Sequence, residues 1–267
     1  MRKKSIRFLI FNFSLGLIAL GIIALPYIKA LPGRTADLEE ISQRGYLIVA
    51  VKDNLRPLGF RDNQGQWQGL EIDIAKRLAI ELLGKPEAIK LQAVANTDRL
   101  KVVLNNQVDM TIAGVTRTES RSRLVSFSHP YYIDSTTLIT KNQQLQELHD
   151  GKNLKIAVLE GSTTIAIIKY FLPAAKLIGV NSYQEALTVL ENNYAYAFAG
   201  DASVLAGWVQ EYPQYRILPI KLATQALCIV MAKGLQYDAL RQKVTAAIER
   251  WQNEGWLTQR AQYWGLP

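Results

Sequence analysis

The sequence has one cysteine, Cys228, two histidines, His129 and His149, and no acidic residue among its first thirty positions. A single cysteine excludes an internal disulfide, so packing must hold the fold. Set within ALCIVMA, the thiol reads as a small buried hydrophobe. Neither histidine stands at metal-ligand spacing from the other or from the cysteine, which argues against a metal centre built on them. The motifs G-x-S-x-G, G-x-x-x-x-G-K-[ST] and G-x-G-x-x-G are all missing, and with them the signatures of an α/β-hydrolase, a P-loop and a dinucleotide site. Nothing calls for a cofactor. After position 37 there is no apolar stretch of 18 residues, so no further membrane span is expected.

The formal net charge of +8 suggests a nucleic-acid partner until its distribution is examined. Five basic residues (Arg2, Lys3, Lys4, Arg7 and Lys29) lie in the first thirty positions, leaving 26 basic against 23 acidic residues in the remainder. No basic run with interleaved aromatics follows, and nucleic-acid binding is not expected. The segment MRKKSIRFLIFNFSLGLIALGIIALPYIKA (1–30) instead has a basic start and an apolar stretch over residues 8–25, the form of an export signal. Two readings stand: a signal cleaved near Ile28-Lys29-Ala30, or an uncleaved anchor holding a periplasmic body to the inner membrane. No lipid-attachment cysteine follows it.

After a linker (31–37) the body alternates strands and helices. YLIVAV (46–51), IKLQAV (89–94) and VDMTIAGV (108–115) read as strands. Between the first two, Leu70, Ile74, Leu78 and Leu82 recur every four residues and Gly84 with Pro86 ends the helix. Residues 96–106 read as a shorter helix with Leu100, Val103 and Leu104 on one face. A second series repeats the grammar: LKIAVL (154–159), a helix over 163–171, AKLIGV (175–180), a helix opened by the capping box of Ser182 and Glu185, AYAFAG (195–200), and a helix from Asp201. A strand (226–233), a helix (237–253) and GWLTQRAQYWG close the chain. This order predicts an α/β protein of two similar lobes, each with a mainly parallel sheet flanked by helices.

Ligands of open α/β sheets bind beyond the carboxyl ends of strands. Three such ends carry polar groups: GVTRTESR (114–121), GSTT (161–164) and Asp201. The GSTT turn is either an anion cradle of free N–H groups or an ordinary capped turn. Asp201 is either a helix N-cap or a ligand-facing acid. A guanidinium with N–H donors suits a carboxylate, and a carboxylate with carbonyl and hydroxyl acceptors suits an ammonium. Together they describe an α-amino acid held at both ends.

The stretches LIVAVKDNLRPLGFRDNQGQWQGLEIDIAKRLA, LNNQVDMTIAGVTRTESRSRLVSFSHPYY, LKIAVLEGSTT and AFAGDASVLA, in that order over about 230 residues, resemble the family 3 periplasmic solute-binding proteins, the polar amino acid receptors of ABC importers. The resemblance implies a type II periplasmic-binding-protein fold with two crossover strands. Lobe 1 would span 38–133 and 225–267, and lobe 2 would span 134–224. The lobes would close on ligand about crossovers near 132–138 and 222–226. It implies that Arg121 grips the α-carboxylate beside Thr116, that the Gly114 carbonyl receives the α-ammonium, that Thr163 completes the carboxylate site from lobe 2, that Asp201 binds the ammonium, and that Phe60 belongs to an aromatic wall. Arg117 and Arg123 read as solvated surface.

One position departs from the pattern. Where many members have an acid after the first strand, this chain has Lys52 followed by Asp53. A basic residue there matches the family's acidic amino acid receptors and favours glutamate or aspartate. A one-residue gap would place Asp53 there and favour a neutral or basic ligand, and glutamine is the next expectation. The expected partners are the amino acid and a membrane permease, with the receptor a monomer and not an enzyme. The alternative from another class is a cyclohexadienyl-dehydratase-like enzyme on the same scaffold, which would need an extra acid or base in the cleft; Glu160 beside the GSTT turn is the candidate for it, and reads otherwise as a solvated loop acid.

Overall fold

The computed structural model describes residues 36–143, 145 and 154–266. The expected export segment, residues 31–35 of the linker and His149 lie outside these. The first element, α1 (Leu38–Arg44), is not anticipated by the pattern of apolar residues. It forms because Asp37 accepts from the Glu40 N–H at 2.9 Å while Glu40 accepts from the Asp37 N–H at 3.2 Å, a complete capping box. There follow β1 (Leu47–Val51), the short strands β2 (Asn54–Leu55), β3 (Gly59–Arg61) and β4 (Trp67–Gln68), and α2 (Leu70–Leu83). As expected, α2 buries Leu70, Ile74 and Leu78 with Ala75 and Ala79, and Gly84 closes it in the left-handed conformation. Each fully buried leucine or isoleucine contributes about 1.5–3 kcal/mol.

After β5 (Ile89–Ala93), the helix expected over 96–106 is broken into a 3-10 turn (Asn96–Asp98) and the single turn α3 (Lys101–Leu104). Val103 is buried but Leu104 is half exposed. The polar groups at the break are committed elsewhere, since Asn96 and Arg99 bond to other segments. The strand expected over 108–115 is only β6 (Met110–Ile112), because Asp109 turns to Arg44 and the Ile48 N–H, and Gly114 takes φ +60°. Then come α4 (Glu119–Leu124) and the 15-residue strand β7 (Ser126–Thr140).

The second series runs β8 (Lys155–Leu159), α5 (Thr164–Phe171), β9 (Lys176–Val180), α6 (Tyr183–Glu191), β10 (Ala197–Asp201), α7 (Ala202–Glu211) and β11 (Arg216–Ile217). Ser182 caps α6 through the Glu185 N–H, but Glu185 reaches back to Asn181, so the box is displaced by one residue. The chain ends with β12 (Ala223–Met231), α8 (Asp238–Asn253) and α9 (Trp256–Tyr263).

The main sheet has the order β5-β1-β6-β12-β7-β10-β8-β9, with β11 on β7, while β2-β3-β4 form a separate antiparallel sheet. Strands β5-β1-β6 and β10-β8-β9 are two parallel blocks. Between them β7 and β12 pair antiparallel, and each joins one block antiparallel. This gives two α/β lobes with β7 and β12 as crossovers. The core of the first lobe includes Leu78, Ile112, Val244 and Trp251, so α8 packs in the same cluster as α2. The second lobe has its own clusters, around Phe198 and Trp208 and around Ile156 and Ile168. Cys228 is fully buried, and burial pushes its thiol up to about 11. Among the described residues no helix is long and apolar enough to cross a membrane.

Candidate functional site

The carboxyl end of β6 is held from beneath. Glu71, buried in the first turn of α2, accepts from the Gly114 N–H at 2.6 Å and from the Tyr131 hydroxyl at 2.5 Å. Arg99 donates through Nη1 to the carbonyls of Ala113 (3.0 Å) and Gly114 (2.7 Å), and through Nε to Asn96 (2.9 Å). The Gly114 peptide is therefore clamped by an acid on one side and a guanidinium on the other. In this conformation the carbonyl expected to meet an ammonium accepts from Arg99. Burial raises the Glu71 carboxyl above the usual range, against the pull of its two donors. In sequence Arg99 gives no sign of this role, because it falls inside a stretch that reads as a short helix.

Thr118 caps α4, its hydroxyl accepting from the Arg121 N–H at 3.2 Å, and this sets Arg121 in the first turn. The Arg121 guanidinium donates to the Thr116 carbonyl within its own lobe and to the Gly161 carbonyl of the other, both at 2.9 Å. Burial, with Arg99 nearby, lowers Arg121 to about 10, so it is still a cation at neutral pH. Across the cleft, Gly161 adopts φ +71° in the turn after β8, which brings its carbonyl to Arg121. Thr163 stands at the N-cap position of α5 but makes no side-chain cap bond, and its hydroxyl donates to Gln225 instead. The Ser162 hydroxyl beside it is buried with no hydrogen-bond partner among the described residues.

Asp201 ends β10 and precedes α7, yet its carboxylate does not cap that helix. The cap comes from Asp134 on β7, which accepts from the Ser203 N–H at 3.2 Å and from the Ser203 hydroxyl. Asp201 is thereby free to accept from Gln225 Nε2 at 2.9 Å. Burial and then Asp134 push the Asp201 carboxyl up to about 7, while Arg99, Gln225 and Arg121 oppose the shift.

Gln225, on the crossover β12, joins all of this. Its Oε1 accepts from the hydroxyls of Thr116 (2.7 Å) and Thr163, and its Nε2 donates to Thr136 Oγ1 (2.5 Å) and to Asp201. Every bonding position of the amide is used. The expected site did not include Gln225. The signal available was a lone amide in the otherwise apolar strand segment ALCIV and its approach.

Five expected residues, Gly114, Thr116, Arg121, Thr163 and Asp201, line one cavity, with Asn96, Arg99, Ser162 and Tyr183. The space among them is about 20 Å³, room for a water molecule but not an amino acid. Lys52 and Asp53 line an adjacent cavity of about 280 Å³ that shares Asn96, Leu159 and Tyr183 with the first. Lys52 is buried and donates to the Val94 carbonyl at 3.0 Å. Burial, then Arg99, lower its pKa. Phe60 is not in the central cavity. Its ring lies under the Arg56 guanidinium at 3.8 Å and edge-on to Trp264 at 5.8 Å, facing a third cavity of about 340 Å³. The aromatic side chain lining all three cavities is Tyr183, from the first turn of α6. Glu160 lines none of these three, and its carboxylate lies against Gly179 on β9. Among the described residues no group of three or more His, Cys, Asp or Glu side chains could hold a metal ion.

The profile of the bacterial extracellular solute-binding proteins, family 3, matches residues 47–267. A glutamine-binding protein of Geobacillus stearothermophilus is 32% identical over 202 residues, 74% of this chain and 77% of that protein. The ABC transporter glutamine-binding protein GlnH of Bacillus subtilis (strain 168) is 27% identical over 256 residues, covering 91% of this chain and 93% of the relative. A crystal structure of the solute receptors for L-cysteine of Neisseria gonorrhoeae superposes with a TM-score of 0.79 at 25% identity, over 85% of this chain and 93% of the other. The fold is that of the type II periplasmic-binding proteins. With a match running from β1 to the C-terminus and the polar strand ends of both lobes meeting at one cavity, the chain belongs to the bacterial extracellular solute-binding proteins, family 3.

Proposed function

We propose that this chain is the extracytoplasmic amino-acid-binding receptor of an ABC importer, taking a polar L-amino acid and presenting its closed form to a membrane permease. The observation that carries this reading is the meeting of Arg121 from one lobe and Asp201 from the other at a single cavity. Arg121 would take the α-carboxylate with the Thr116 and Thr163 groups, and Asp201 the α-ammonium. We take lobe 1 as 38–133 with 225–267 and lobe 2 as 134–224. In the closed arrangement Arg121 bonds to Gly161, Asn96 bonds to the Glu160 carbonyl at 2.5 Å, and Thr163 bonds to Gln225. An amino acid would enter only after these part, and closure would follow from bonds it makes to both lobes at once.

Glutamate, aspartate and glutamine are the favoured ligands. Lys52 and Arg99 put two buried cations beside the cavity pair, with Asn96 and Tyr183 between, which suits a carboxylate or amide side chain extending from the central site. Glutamine also fits the two relatives named for it. An enzyme on this scaffold would need a further acid or base in the cavity, beyond the Asp201 that holds the ammonium. The placement of Glu160 against Gly179 argues for binding without catalysis. Export fits the basic and apolar segment at 1–30, as cleaved signal or as anchor. A thermal-shift screen of the twenty amino acids tests the reading, because a ligand of the native state raises the melting temperature. Glutamate, aspartate or glutamine should give a shift, and no shift from any amino acid refutes the proposal.

A further inference from the structure

The lobes also meet outside the central cavity, where α7 of the second lobe crosses the loop between β2 and β3 of the first. At this crossing stands Gly207, buried in the middle of α7. A Cβ built there would lie 2.4 Å from the Arg56 carbonyl oxygen, 2.9 Å from the Arg56 carbonyl carbon and 3.1 Å from Pro57 Cδ. All three nearest atoms belong to the opposite lobe. Gly69 and Gly59 also press on backbone, the Leu58 carbonyl at 2.2 Å and the Lys52 carbonyl at 2.8 Å, but within one lobe, whereas Gly161 faces Thr97 across the cleft at an ordinary 3.7 Å.

Neither side of this contact can recede easily. The Pro57 and Leu58 carbonyls accept from the N–H groups of Leu70 (3.1 Å) and Glu71 (2.8 Å), so the strip over 56–58 caps the N-terminus of α2. Arg56 is further held on Phe60, and Phe60 on Trp264. On the other side Trp208, next to Gly207, packs on Phe198 at 5.3 Å and on Tyr215 at 6.0 Å. The strip also leads to the binding site, because the α2 turn that it caps carries Glu71, the acceptor of the Gly114 N–H.

Building on the receptor reading above, we propose that Gly207 sets the closing angle of the cleft. A hydrogen in place of a side chain lets α7 seat on the Arg56–Pro57 backbone, and any side chain at this position holds the lobes ajar. A methyl group would need the surfaces to separate by about 1 Å to reach normal contact distance. The bonds that cross the cleft, Arg121 to Gly161 and Asn96 to Glu160, would lengthen with it. In the open form the contact does not exist, so a substitution penalises closure alone. Alanine in a helix interior should even stabilise the unliganded protein.

The test uses Gly207→Ala and Gly207→Val in the full chain carrying Gln64→Cys and Glu211→Cys, two exposed positions on opposite lobes, for spin labels; buried Cys228 does not compete. L-Glutamate, L-aspartate and L-glutamine are added in turn, and interlobe distance, affinity and melting temperature are read. In the parent protein the bound amino acid should shorten the distance. The valine variant should lack the short distance and bind at least about tenfold more weakly, the mark of a disfavoured competent state. The unliganded alanine variant should melt about 2–4 °C higher than the parent while showing a smaller ligand-induced shift. Loss of unliganded stability in both variants would indicate a merely structural glycine and overturn the proposal. So would a valine variant that closes to the parent distance with unchanged affinity. If none of the three amino acids affects the parent, the proposed ligands fail, and the unliganded distance distributions decide the closure question. A short-distance population in the parent that valine abolishes supports it, and identical distributions overturn it.

Discussion

Replacing Gln225 with leucine removes one amide and strands four groups. Thr116 and Thr163 lose an acceptor, and Thr136 and Asp201 lose a donor. Three of these partners belong to elements whose positions are fixed locally: Thr116 bridges to Leu227, and Thr136 pairs with both Ala223 and Asp201. Two neutral bonds at about 1 kcal/mol each and one to a carboxylate at about 1.5–3 kcal/mol give a gross loss of about 3.5–5 kcal/mol. The leucine side chain recovers part by burying apolar surface, leaving about 2–4 kcal/mol. Urea unfolding of the unliganded protein measures this, and a loss below about 1 kcal/mol would refute the role given to the amide. Gln225→Glu sharpens the test. It keeps the acceptor for the two hydroxyls but sets a second carboxyl against Asp201. That carboxyl would titrate above its unfolded value of about 4.3. The variant should therefore be most stable below that pH and lose stability progressively as pH rises through the raised value. A pH-independent difference from the parent would mean that the two side chains do not face each other.

The other expectations concern charge. Arg121→Ala should cost about 2–5 kcal/mol of amino acid affinity by calorimetry, because the ligand carboxylate is left buried and unpaired; near-normal affinity removes Arg121 from the site. Lys52→Ala should weaken glutamate and aspartate more than glutamine, and equal losses would exclude it from contact with the ligand side chain. Asp201, held up to about 7 in the folded protein, binds its proton more tightly there than in the unfolded chain. Its contribution to unliganded stability is thus complete below about pH 4 and lost as pH rises toward 7. Urea midpoints at pH 4.5 and 7.5 should differ in that direction, and Asp201→Asn should reduce the difference.

The long elements were legible because their residues signal locally. The recurrence of Leu70, Ile74 and Leu78 and the apolar runs of β1, β8 and β10 each carry enough pattern to declare type and extent. Strands β2 to β4 were not, since two or three residues give no period to read. The strand ends pointed to the site, but its wiring did not show, because the partners are far apart in sequence. Thr116 and Gln225 are 109 positions apart, and Asp134 and Ser203 are 69 apart. Asp201 shows the limit well. As a residue before an apolar helix it reads equally as a cap, and only the arrival of Asp134 from another strand releases it for other work. The position of the Phe60 ring was hidden for a related reason: a motif transfers residue type, whereas the direction of the ring depends on Arg56 and Trp264.

The pairing of β7 with β12 constrains how this molecule can move. From Ala223 opposite Thr136 to Leu227 opposite Tyr132 the ladder runs without a shift, so the two connections act as one strip of ribbon. A ribbon twists and bends readily, but sliding one strand along the other would break every rung together. The halves are thus left with rotation and denied translation. A guest too large for the jaws cannot be accommodated by sideways slippage, so selection by size reduces to a single angle.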